Sequence, residues 1–251
     1  MKFLAALRFL TSIPLRWPRQ ASPEELGRSA VYFPVVGLVI GIILAGLYWL
    51  LDFILPVTVV SALLIVFLVA VTGALHLDGF VDTCDGMAGH RTVEDRWRVM
   101  HDSRAGAFGI VGVVLLLLVK YASLSSIPDS LIMATLIFMP VVSRWAMVYT
   151  VFAYPYARPS GLGKALKQGI GWRGFTVATL ITLSAAAAMI PLWHFTGLVI
   201  ILGVWIMAAV MAAIFKWKFN GLTGDTYGAI NEVAEVSVLI LVLLLARLGL
   251  A

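Results

Sequence analysis

A chain of 251 residues with 61% hydrophobic and 12% charged side chains and a mean hydropathy of +1.00 carries more apolar surface than one soluble core can hide. Lipid has to take the surplus, and membrane-crossing blocks leave no room for a separate soluble catalytic domain. The single cysteine, Cys84, excludes an intrachain disulfide and a C-x-x-C redox or zinc motif, and the four histidines show no zinc-enzyme spacing. The excess of 18 Lys and Arg over 13 Asp and Glu is ordinary for cytoplasmic membrane loops and does not call for a nucleic-acid partner.

The first segment, 1–28, is interrupted by Arg8 and runs into Pro14, Arg16 and Arg19, a poor match to a cleavable signal peptide. It reads as an amphipathic interfacial segment. Apolar blocks follow at 29–51, 57–75, 108–127, 131–153, 174–192 and 195–215, with a shorter one at 233–245 just before Arg247. The connections alternate in charge. Those near 52–56, 128–130 and 193–194 hold no Lys or Arg. The N-terminal segment, 76–107 (Arg91, Arg96, Arg98, Arg104), 154–173 (Arg158, Lys164, Lys167, Arg173) and 216–232 (Lys216, Lys218) hold nearly all of it. The positive-inside rule makes that face cytoplasmic. The expectation is an all-α, polytopic membrane helical bundle of about seven transmembrane helices, one integral membrane domain over 1–251 with a cytoplasmic N-terminus.

The strongest chemical signal is His76-Leu-Asp-Gly-Phe-Val-Asp-Thr-Cys-Asp-Gly86, in the cytoplasmic Asp-rich segment 76–107, where the second span emerges. Asp78, Asp82 and Asp85 are four and three residues apart, so on a helix they share one stripe. Hard oxygen ligands in such an array suit Mg²⁺, which takes a few carboxylates, its own waters and substrate phosphates. Gly79 and Gly86 weaken a helix but allow close approach to the backbone. The plain alternative, that these acids cap helices or solubilise a turn, carries less weight beside a membrane span.

Downstream, Arg96, Arg98 and Arg104 stand near Asp102. Arginine suits phosphate because its planar fork binds two oxygens; for Arg96 and Arg98 an ordinary basic rim is an equal reading. Lys120 and Arg144 fall inside spans, where each requires a protein partner or a watery cavity. A structural ion pair and a substrate role are equal readings for Lys120, and Arg144 is placed to floor a site holding the Asp stripe. The segments 154–164 and 220–228 read as tight Gly-rich loops whose amides could meet phosphate oxygens, with Arg158, Lys164, Thr223 and Asp225 as polar groups. Glu235 follows Asn231 by one turn and reads as an interfacial charge before a return to the cavity.

These residues resemble a known family, cobalamin synthase (adenosylcobinamide-GDP ribazoletransferase), over nearly the whole chain. The resemblance rests on the 76–86 motif, Asp102-Ser-Arg-Ala-Gly106, Arg144 with Tyr156-Ala-Arg158 and Gly161-Leu-Gly163, and Thr223-Gly-Asp-Thr-Tyr-Gly-Ala229. It implies a Mg²⁺-dependent inner-membrane enzyme that joins adenosylcobinamide-GDP to α-ribazole or its 5′-phosphate and releases GMP. Asp78, Asp82 and Asp85 would hold the metal, with Asp82 or Asp102 as the catalytic base. His76, Arg104, Arg144, Arg158, Lys164, Thr223 and Asp225 would bind substrate. The resemblance leaves open a homo-oligomer or association with other corrinoid-pathway enzymes. Two alternatives are weaker. Asp82-Thr-Cys-Asp85-Gly86 begins like a CDP-alcohol phosphotransferase signature, but Gly89 and His90 stand where that signature expects Ala-Arg. A transporter would need its polar residues near the midplane rather than on one face.

Overall fold

The computed structural model describes residues 2–14, 21–89 and 92–250; Arg16, Arg19, His90 and Arg91, which entered the reading above, lie outside the described residues. Among the described residues, five helical stretches are long and apolar enough to cross a membrane, or up to seven where each of two bent pairs is counted as one span. The five are Pro23–Leu51, Ala107–Leu124, Asp129–Ala153, Thr196–Phe219 and Gly224–Arg247. Among the described residues the chain is otherwise helical and turn-like, with one isolated bridge between Tyr156 and Leu222.

In chain order, α1 is Lys2–Leu10, and α2 (Pro23–Ser29) runs through a single 3₁₀ turn into α3 (Phe33–Leu51). Ser22 opens α2 with a reciprocal capping box to Glu25, and Pro23 takes the first turn, where no amide is needed. Helix α1 is amphipathic, as expected, but its apolar side docks on protein. Ala6, Leu7 and Leu10 are buried, and Phe9 stacks on Phe33 with ring centres 5.9 Å apart.

Next come α4 (Val57–Thr72), α5 (Leu75–Met87), α6 (Val93–Met100) and α7 (Ala107–Leu124). The expected span 57–75 stops early. Gly73 and Ala74 both adopt left-handed backbone, with φ of 60° and 56°, so α5 leaves α4 at 91°. The Asp-rich segment therefore forms a separate crosswise helix rather than the tip of an upright one.

The remaining helices are α8 (Asp129–Ala153), α9 (Leu162–Gly169), α10 (Trp172–Ala188), the single turn α11 (Ile190–Trp193), α12 (Thr196–Phe219) and α13 (Gly224–Arg247). Helix α9 meets α10 at 92°. The short span expected at 233–245 is in fact the inner part of the 24-residue α13. Thr223 and Thr226 form a capping box that starts the helix at Gly224. Most of the loop expected at 220–228 is thus the polar first turns of a helix, which hydropathy does not register.

Helix α8 is the central post, with 89% of its most apolar window buried, against 22% for α7 and 28% for α12. An apolar helix covered on all sides belongs to a core. Phe33, Ile40 and Leu44 of α3, Phe138 and Val142 of α8, Val204 of α12 and Leu239 of α13 make up that core. Outward-facing Val66, Leu115, Leu118, Leu202 and Val210 would be a liability in water and are suited to acyl chains.

Candidate active site

Helix α5 crosses the first turns of α13 with almost no gap. A Cβ on Gly79 would lie 2.8 Å from the Asp225 Cα, and one on Gly228 would lie 3.0 Å from the His76 carbonyl oxygen. Two missing side chains let the backbones touch. The crossing brings Asp78 and Asp82 of α5 to Asp225 of α13. A second contact fixes what lies above them. The Ala157 amide donates to the Leu222 carbonyl (2.8 Å) and the Leu222 amide to the Pro155 carbonyl (2.9 Å). These bonds tie the 154–161 segment to the entrance of α13. Arg158 consequently sits on Asp225, with Nη2 2.9 Å from the carboxylate, and Tyr156 stacks on Tyr227.

A cavity of about 510 Å³ opens between these elements. His76, Asp78, Arg158, Asp225 and Tyr227 line it, together with Trp97 and His101 from the α6 region, Phe9 of α1 and the glycines at 161 and 163. Its polar lining is short of partners. His76 Nε2, Trp97 Nε1, Arg158 Nε and the Tyr227 hydroxyl are all buried without a hydrogen bond within the chain. Such groups cost free energy unless a ligand or water meets them. Trp97 Nε1 and Arg158 Nε can only donate and the Tyr227 hydroxyl is able to, so the complementary ligand presents acceptor oxygens.

The carboxylates differ in environment. Asp82, half-buried on α5 beyond the bend, is pushed up to about 7, first by burial and then by the neighbouring charges of Asp225 and Asp78, with Arg158 opposing. That crowding of negative charge is what a hard cation relieves. Among the described residues, no three His, Cys, Asp or Glu side chains are gathered closely enough to cage a metal unaided. Mg²⁺ does not need such a cage when a substrate supplies phosphate oxygens. Carboxylates of this cluster would fit Mg²⁺ only in company with such substrate oxygens. Asp85 faces elsewhere: its two oxygens accept from the amides of Gly106 (2.7 Å) and Gly109 (2.8 Å), holding the start of α7. Asp102 is exposed and chelated by Arg104, whose hydrogen bonds hold its carboxyl down at about 2.

Beneath the cavity runs a buried polar cluster. Lys120 Nζ donates to Glu232 (2.6 Å) and Glu235 (2.7 Å), and Arg144 Nη1 donates to Glu235 and to the Ser143 hydroxyl (3.0 Å). Asn231 Nδ2 lies 3.3 Å from His76 Nδ1 and 3.4 Å from Glu235 Oε1. Of the two readings for Lys120, the ion pair is the one observed. Glu235 is fully buried inside this cluster rather than interfacial.

The sequence profile of the family described as cobalamin-5-phosphate synthase matches residues 2–244. The chain belongs to that family. Among curated relatives, a protein of Geotalea daltonii is 38% identical over 93% of each chain. One of Thermosynechococcus vestitus is 39% identical over 95% of this chain and 94% of its own. One of Pseudomonas syringae pv. syringae is 36% identical over 98% of this chain and 100% of its own. All three are named adenosylcobinamide-GDP ribazoletransferase. No solved structure matches the chain. Membership of the family sets aside the phosphotransferase and transporter alternatives.

For a member of this family the sequence-derived candidates divide clearly. His76, Asp78, Arg158 and Asp225 line one cavity, and Asp82 is electrostatically joined to it. Lys164 donates to the Pro159 carbonyl (2.6 Å) and so braces a lining residue. Thr223 is the cap of α13, and Arg144 is fully buried behind His76, so neither lines the cavity. Arg104 and Asp102 stand exposed. Arg96, left open between rim and site, donates to the Gly86 and Met87 carbonyls and anchors α6 to the end of α5. Phe9, His101 and Met147 were not foreseen as lining, because no local motif marks residues that only tertiary packing brings to a wall.

Proposed function

We propose that this chain is an adenosylcobinamide-GDP ribazoletransferase that joins adenosylcobinamide-GDP to α-ribazole, or its 5′-phosphate, and releases GMP. The observation that carries this reading is the donor-lined cavity set directly against the acidic cluster of Asp78, Asp82 and Asp225. A diphosphate ester needs both. Family membership and the names of the relatives support it independently.

The residues divide the work as follows. Arg158, with Nε unpartnered and Nη2 on Asp225, clamps phosphate oxygens, while Trp97 and Tyr227 donate to the same group. Asp78, Asp82 and Asp225, together with substrate oxygens, would hold Mg²⁺, which would offset charge on the diphosphate. The ribose hydroxyl of the ribazole attacks the phosphorus bonded to the aminopropanol arm, and the bond from that phosphorus to the GMP oxygen breaks. Asp82 accepts the hydroxyl proton, because it adjoins the cavity, whereas Asp102 is exposed, held by Arg104 and outside the lining. The excess of Lys and Arg on the loops at the cavity end supports a cytoplasm-facing site in the cell inner membrane.

The test is GMP release by the purified protein in detergent or vesicles, dependent on both substrates and on Mg²⁺. Asp82→Ala should abolish turnover while leaving membrane insertion normal. Substrate-dependent turnover that persists in that variant, or GMP release indifferent to the ribazole, would reject the proposal.

A further inference from the structure

We propose that Asn231, held by Glu235, is a positioning residue that fixes His76 in the tautomer with its proton on Nε2, so that the ring presents an N–H donor to a phosphate oxygen in the cavity. The identity of the ligand rests on the function proposed above; the tautomer does not.

The inference starts from the buried cluster. Glu235 is gripped by Lys120 at 2.7 Å and by Arg144, and its carboxylate is an acceptor on every side. Asn231 lies one turn earlier on α13, fully buried, with its Nδ2 toward both Glu235 Oε1 and His76 Nδ1. The opposite orientation of the amide would set its carbonyl oxygen against the carboxylate, acceptor to acceptor, where both residues are fully buried. The amide orientation therefore follows from Glu235 rather than from the histidine. An NH₂ group has two protons, one for each neighbour. His76 Nδ1 must then accept, and the neutral ring carries its proton on Nε2.

The other end of the ring faces the site. His76 is 2% exposed and lines the cavity, and its Nε2 has no partner in the chain. Gly228 allows α13 to press against the His76 backbone, which fixes where the ring begins. With the proton on Nε2, His76 joins Trp97 Nε1 and Arg158 as a donor aimed at acceptor oxygens. With the proton on Nδ1, a lone pair would face the phosphate and the buried amide would lose its acceptor. The charged cluster under the cavity thus has a task beyond stability: it sets the polarity of one atom of the lining.

Two measurements test this. Nitrogen-15 NMR of the ring of His76, assigned by comparison with His76→Gln, should show the Nε2–H tautomer in the wild-type protein; an Nδ1–H ring or an imidazolium would overturn the proposal. A double-mutant cycle supplies a functional readout. Asn231→Leu should lower kcat roughly tenfold or more by releasing the tautomer. His76→Gln offers an amide N–H near the place of Nε2, and adding Asn231→Leu to it should cost little further. Additive losses across the cycle would overturn the positioning role and leave Asn231 a packing residue. Should Asn231→Leu fail to fold, the wild-type ring spectrum alone decides. A wild-type protein that shows the Nε2–H ring but no GMP release would sink the proposed function and not the tautomer.

Discussion

Gly79 rests on the backbone of Asp225, leaving room for a hydrogen and nothing larger: a Cβ there would be 2.8 Å from both the Cα and the carbonyl oxygen of Asp225. The obstacle is backbone, so it cannot rotate aside. Gly79→Ala should push α5 off α13, cost about 1–3 kcal/mol by overpacking and separate Asp78 and Asp82 from Asp225. Thermal unfolding in detergent together with transfer rate checks it; a variant with wild-type values for both would show that the crossing is looser than drawn.

The proposed metal site makes Asp82 a link between protonation and Mg²⁺ binding. Its carboxyl is pushed from 3.8 up to about 7, so the folded state holds that proton more tightly than the unfolded chain does. Stability of the metal-free protein then falls as pH rises through that window, and is greatest where Asp82 is protonated. Mg²⁺ needs the ionised form, so the rise in unfolding temperature on adding Mg²⁺ should be larger at about pH 8 than at about pH 5.5. Equal increments would remove Asp82 from the metal site.

Asp85 and Asp78 should separate stability from metal binding. Asp85→Asn weakens the cap on α7 at Gly106 and Gly109, with an expected loss of roughly 1–2 kcal/mol and little change in Mg²⁺ affinity. Asp78→Asn should do the reverse. Calorimetric titration of Mg²⁺ into both variants reads the difference, and a common loss of affinity would return Asp85 to the metal.

Lys120 balances two acids in a site closed to water. Lys120→Met leaves Glu232 and Glu235 sharing Arg144, and an uncompensated buried charge costs about 3–5 kcal/mol. Adding Glu232→Gln restores the balance and should recover most of the loss. Unfolding of the single and double variants measures this; a double variant no better than the single would mean the ion pair is not the cause.

The helices were legible because apolar runs long enough to cross a bilayer are hard to mistake, and the Asp stripe because its spacing repeats along one helical face. What stayed hidden was hidden for physical reasons. The corner at Gly73 and Ala74 lies within an apolar run, where hydropathy registers no break. The start of α13 is polar because Thr223, Asp225 and Thr226 serve a cap and a site, so its helicity rests on side-chain hydrogen bonds. Asp85 belongs to the stripe by spacing but is claimed by the amides of Gly106 and Gly109, a contact spanning 21 and 24 residues that no local pattern announces. Arg144 and Lys120 were recognisable as intramembrane charges, yet only the packing shows that both face Glu235, which read as interfacial.

The right angle between α4 and α5 gives the protein a ledge. With α4 upright in a bilayer, the helix bearing Asp78 and Asp82 lies parallel to the membrane plane, so its carboxylates are presented side by side at one level rather than stacked along the membrane normal. An upright helix would offer them one above another; the ledge offers them abreast, the arrangement that a group spanning two phosphates can meet in a single approach.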